Sequence, residues 1–139
     1  MSNDAARPLP APGPIHLSRK EMMKMTIGEL KQLISAKAIT ECDDAREIKS
    51  GCTCDLLSWV MAHGCADMAW VTVQTHMNVV AVAALLDFAC VILPNGIHMP
   101  ADVAAKASEE DIAVLESDMD AFSICGLVYS GGVPGARKE

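Results

Sequence analysis

A chain of 139 residues, 51% apolar and only 4% aromatic, can bury roughly two thirds of its unfolded surface in one core without a metal or disulfide staple. Its formal charge of −7 and pI near 5.0 leave no basic stripe to displace counterions, which excludes a nucleic-acid backbone as partner. The longest apolar run, 79–86, falls well short of the roughly 20 residues that span a bilayer, so no membrane partner is expected.

The opening segment carries Pro8, Pro10, Pro12 and Pro14 and no periodic apolar pattern. Proline removes backbone donors and fixes φ, so residues 1–24 are expected to form a disordered tail. The segment lacks the basic start and apolar run of a secretory signal, and the expected location is the cytoplasm. There the six cysteines stay reduced, as core filler, metal ligands or reactive thiols.

Thr26, with Glu29 three residues on, makes a capping box, and Ile27, Leu30, Leu33 and Ile34 recur at helical spacing, predicting a helix over 27–36. Short strands at 38–40 and 46–49 follow, separated by the acidic turn Cys42-Asp43-Asp44. Residues 51–55 are expected to connect into a helix capped by Thr53 or Asp55, with Leu56, Leu57, Val60 and Met61 as its buried stripe and Gly64 as its end. Apolar strands at 69–73, 89–93 and 112–115 then alternate with helices at 78–88 and 101–110. A final helix over 120–129 stops at Gly131-Gly132, and 134–139 are expected to fray. This alternation predicts an α/β fold: one domain over 25–133, in three or two layers, around a small, mainly parallel sheet built from βαβ units.

Helix 78–88 is apolar around most of its circumference, through Val79, Val80, Val82, Leu85 and Leu86. Such a helix must be covered on nearly all sides, and one sheet covers only one, so a homodimer is expected.

Ligands of open parallel sheets bind beyond the carboxyl ends of the strands. Those ends carry Gln74-Thr75-His76 with Asn78, then Pro94-Asn95-Gly96, then Glu116-Ser117, and loop 51–55 joins them. The candidate ligand site is therefore Cys52, Thr53, Asp55, Gln74, Thr75, His76, Asn78 and Asn95. Free N–H groups at the helix starts favour a small anionic ligand, and the same polar residues also serve as simple helix caps.

Cys52, Cys54 and His76 are the candidate metal ligands, and an iron–sulfur cluster, which wants four thiolates, would draw on Cys65 and require Cys42 as well. A thiol at 52 or 54 with His76 as base would suit a cysteine-dependent enzyme. Cys90, within a strand, and Cys125, on an apolar helix face, read as small hydrophobes. There is no Walker-type loop and no GxGxxG.

The segments GCTCDLLSWVMAHG, AWVTVQTHMNVVAVAALLD and CVILPNGI resemble the stand-alone DRTGG-domain proteins, which are similar to the N-terminal domain of HPr kinase/phosphorylase. The resemblance covers about 25–133, although the DRTGG string itself is absent. It implies an HPr kinase N-terminal-domain-like α/β fold, a dimer and a non-enzymatic regulatory or ligand-sensing role. Hydrogenase-related or signalling proteins are the implied partners, since members of the group occur beside hydrogenase genes. The kinase activity of HPr kinase belongs to a separate P-loop domain.

Overall fold

The computed structural model of the chain describes residues 24–136. The expected N-terminal tail, apart from Lys24, and residues 137–139 lie outside the described residues.

The elements run β1 (Met25–Thr26), α1 (Ile27–Leu33), β2 (Lys37–Ala38), β3 (Glu47–Ile48), β4 (Ser50–Thr53), α2 (Leu57–His63), β5 (Met68–Val71), α3 (Met77–Leu85), β6 (Cys90–Leu93), α4 (Ala101–Glu109), β7 (Val114–Glu116) and α5 (Ala121–Ser130). β4, β5, β6 and β7 pair in parallel in chain order, and β2 closes the far edge antiparallel to β7. β1 and β3 form a separate antiparallel pair. The helices α2, α3 and α4 are thus the crossovers, and they cover one face of the five-stranded sheet.

Strand alternation sorts the side chains into two cores. Met68, Trp70, Val91, Leu93 and Val114 meet Val60, Val79, Val80, Ala83 and Val103 of α2–α4. Ala69, Val71, Cys90, Ile92 and Leu115 meet Ile27, Leu30, Ile124 and Val128 of α1 and α5 on the other face. The result is the three-layer α/β arrangement. Among the described residues no helix is long and apolar enough to cross a membrane.

Local chemistry explains most boundaries. The capping box forms: Glu29 N–H donates to Thr26 Oγ1 at 3.2 Å, and Thr26 N–H to Glu29 Oε1 at 2.9 Å. Helices α1, α3 and α4 end in the same way, with Ser35, Asp87 and Asp111 at positive φ and a 6→1 backbone bond beyond. Helix α2 ends at Gly64, where a Cβ would sit 2.6 Å from Phe88 Cζ; a glycine is needed there for close packing. Arg46 holds the turns before β5 and β6, through Asp67 at 2.9 Å and Asp87 at 3.2 Å.

Three expectations are corrected. Residues 50–53 are not a connection but the strand β4, because Ser50, Gly51, Cys52 and Thr53 pair in register with Met68, Ala69, Trp70 and Val71. Neither Thr53 nor Asp55 caps α2; Leu56 holds the N-cap position, with no side-chain cap bond. Helix α3 lies between α2 and α4, so its Val79, Val80, Val82 and Ala83 are covered within the chain and only a narrow strip, including Leu85 at 69%, is exposed. Its apolar circumference therefore requires no second subunit. After α5, Pro134 accepts from Gly51 N–H at 2.9 Å and Gly135 bridges Gly51 in parallel, so the segment expected to fray begins alongside β4.

Candidate ligand site at the carboxyl edge of the sheet

Because β4 to β7 are adjacent and parallel, their carboxyl ends lie side by side, as the topology of the sequence implied. Asp55 joins the first two. Its Oδ1 accepts from the Thr72 hydroxyl at 2.8 Å and from Val73 N–H at 2.9 Å, while its carbonyl accepts from Gln74 Nε2 at 3.1 Å. Thr72 Oγ1 in turn accepts from Gln74 N–H at 3.1 Å. Buried Thr72 and the backbone of 73–74 thereby have their donors satisfied, and two loops are fixed to one another.

Asp55 Oδ1 and Gln74 Nε2 are thus engaged within the chain and frame this edge of the sheet. Thr75 is half-buried, and His76 and Asn78 are exposed. His76 is the N-cap of α3, its Nδ1 accepting from Asn78 N–H at 3.1 Å. With Nδ1 accepting, the proton of a neutral ring sits on Nε2, which leaves one donor for a ligand. Leu56 at 63% and Val73 at 43% exposure lie on these same loops, and Met77, at 37%, opens α3.

Further along the edge, Asn95 and Gly96 both have positive φ, 63° and 70°, and Ile97 N–H returns to the Pro94 carbonyl at 3.1 Å, a tight turn suited to Asn-Gly. The Asn95 and Gly96 N–H groups bond Met119 and Ser117 carbonyls at 2.8 and 3.0 Å, which ties this turn to the loop after β7. Glu116 receives His98 Nδ1 at 2.9 Å and Met99 N–H at 2.8 Å. Thr72, His98, Leu56, Val73 and Met77 were absent from the predicted site. Thr72 carried a signal, as the one polar residue inside the apolar run AWVTV.

Among the described residues the cysteines do not gather as a metal site. Cys52 packs with the α2–α4 core, and burial pushes its thiol up to about 12. The next residue, Thr53, points to the opposite face, beside Cys125 of α5, whose thiol is also raised, first by burial. Cys54 at the carboxyl end of β4 takes Leu56 N–H on its sulfur at 3.4 Å. Cys65 lies at the other end, its sulfur 3.5 Å from Ser50 Oγ. Among the described residues no three His, Cys, Asp or Glu side chains gather as a metal site, so Cys52, Cys54 and His76 do not meet around one point. Neutral-pH iodoacetamide should label exposed Cys65 first and leave Cys52 and Cys90 unlabelled until the chain unfolds, as read by peptide mass mapping. Prompt labelling of Cys52 would contradict its placement.

Two open hollows, of about 480 and 390 Å³, flank α1 and loop 41–46 and include none of the predicted site residues. A third, of about 140 Å³, is apolar and lies between α5 and β4.

No family model matches the sequence, and no curated protein matches it either. The fold is shared with a crystal structure of the CBS and DRTGG domains of the regulatory region of Clostridium perfringens pyrophosphatase, complexed with its activator diadenosine tetraphosphate. The TM-score is 0.66 over 87% of this chain, at 13% identity. This chain spans about half, 53%, of that one. At such identity the likeness establishes the fold, a mixed α/β domain of the kind found in that regulatory region.

Proposed function

We propose that this chain is a DRTGG-type regulatory domain without catalytic activity, which as a homodimer binds a small anionic metabolite at the carboxyl edge of its sheet. The observation that carries the reading is the placing, on and beside loops fixed by Asp55, of exposed apolar side chains (Leu56, Val73, Met77) with the polar groups of half-buried Thr75 and exposed His76 and Asn78. That pairing suits a ligand with a flat apolar part and a charged part, as a nucleotide has, the charged part resting at the start of α3. The likeness to a region crystallised with diadenosine tetraphosphate supports nucleotides as the first class to test. A half-buried Cys52 packed against the α2–α4 core, its thiol raised first by that burial, disfavours the cysteine-enzyme alternative. The setting in hydrogenase or redox metabolism, in the cytoplasm, rests on the family resemblance.

The test is thermal unfolding with diadenosine tetraphosphate, ATP and AMP in turn. A ligand at a hundredfold excess over Kd should raise Tm by roughly 10 °C. His76→Asn keeps a cap acceptor and should retain the ligand-free Tm, yet lose most of that rise. A full rise in His76→Asn would move the site elsewhere.

A further inference from the structure

We infer that the outer face of α5 is the surface on which a second copy of this chain docks, the two α5 helices crossing antiparallel near Gly126. The inference deepens the dimeric part of the reading above and rests on it. Helix α5, AFSICGLVYS, carries no charged residue over its 10 positions, in a chain whose net charge is −7. Its inner side is used: Ile124 and Val128 are buried against the sheet. Its outer side presents Phe122 at 90% and Tyr129 at 68% exposure, while Trp70 and Phe88 are fully buried. A face without charge lets two acidic copies approach without local repulsion, and exposed aromatics of this kind mark interfaces.

The residue pattern is self-complementary. Phe122 and Tyr129 are two turns apart, about 10 Å along the axis, with Cys125 and Gly126 midway between them. An antiparallel partner centred on that midpoint brings each Phe122 over the other copy's Tyr129, so every contact is made twice and the pair closes. Gly126 supports the crossing. A mid-helix glycine costs about 0.5–1 kcal/mol relative to alanine. Nothing lies within 4 Å of a Cβ built there, so no crowding inside the chain requires it. Close approach of a second helix does. The apolar groove of about 140 Å³ beside Tyr129, lined also by Thr53, Cys125, Val128, Val133 and Pro134, is a receptacle for the partner's phenyl ring. The four aromatic side chains of such a pair bring roughly 600 Å², about half of a small stable interface.

The experiment is mass by light scattering for the full chain, with Phe122→Asp/Tyr129→Asp and Gly126→Cys variants. The wild type should run at twice 14.8 kDa. The double aspartate variant, altered only at exposed positions, should be a folded monomer, with self-association weakened at least about 30-fold. Gly126→Cys should form a disulfide-linked dimer under mild oxidation, absent in wild type, because the two positions face each other across the axis. A monomeric wild type overturns both this interface and the dimeric part of the reading, and leaves the ligand test untouched. A dimeric double variant with no Gly126→Cys cross-link overturns the α5 interface alone.

Discussion

Replacing Trp70 by alanine should cost about 3–5 kcal/mol, a large share of the roughly 5–15 kcal/mol that holds a domain of this size together. Trp70 is fully buried in β5 at the centre of the α2–α4 core. Its ring meets Phe88 edge-on at 5.7 Å, and its Nε1–H donates to the Cys54 carbonyl at 2.8 Å. Alanine removes the packing and leaves that carbonyl without its side-chain donor. Trp70→Phe keeps an aromatic ring but loses the N–H and part of the buried ring volume, and should cost less than alanine, at about 1–3 kcal/mol. Urea unfolding with an unchanged slope would measure both. A loss below about 1.5 kcal/mol for alanine would mean that α2 and α3 close over the gap.

Asp55→Ala should be the second most damaging change, at about 2–3 kcal/mol, although Asp55 is an exposed residue. One carboxylate oxygen holds both the buried Thr72 hydroxyl and Val73 N–H, and the residue sits where two strand ends must stay in register. Asp55→Asn keeps an acceptor in the same place and should lose about half as much. Hydrogen exchange separates this from a general weakening: in the alanine variant the Val73 amide should exchange faster, while amides in β6 follow global stability. The thermal response to any edge ligand should vanish with it, because loops 54–56 and 73–76 would no longer be fixed together.

The contrast between these two residues shows which parts of the fold are readable from the chain. Trp70 lies in an apolar run bounded by turn residues, and the runs containing it, Cys90 and Val114 became the parallel strands as expected. A local signal such as the Thr26–Glu29 box is complete within four residues and was equally visible; the Asp120 cap of α5, which accepts Ser123 N–H at 2.8 Å, is as local, although 120 was read only as the start of the helix. What escaped depends on partners far along the chain. Ser50–Thr53 has no strand pattern of its own and is extended because β5 pairs with it. Asp55 stands where a cap belongs, yet its partners are 17 to 19 residues away. Cys52 and Cys54 share one face of the strand and pack on the same core, and Cys65 lies toward the other end of β4, so their closeness in sequence makes no metal cluster among the described residues. The all-apolar α3 was read correctly as covered and wrongly as needing a partner, since periodicity does not reveal how many neighbours the fold provides.

The closing of the sheet's two edges has a consequence for synthesis. One edge is closed when Lys37 and Ala38 pair with Glu116 and Leu115, the other when Pro134 and Gly135 lie along Gly51. Both closures join residues roughly eighty positions apart, so neither forms while the middle of the chain is leaving the ribosome. Throughout that interval β4 offers unpaired backbone groups to any neighbouring strand. A chain stalled or cut before Val133 would keep that edge open to other strands. The few residues after α5 are thus the last part of the sheet to be put in place, and they cover an edge that all the earlier elements leave bare.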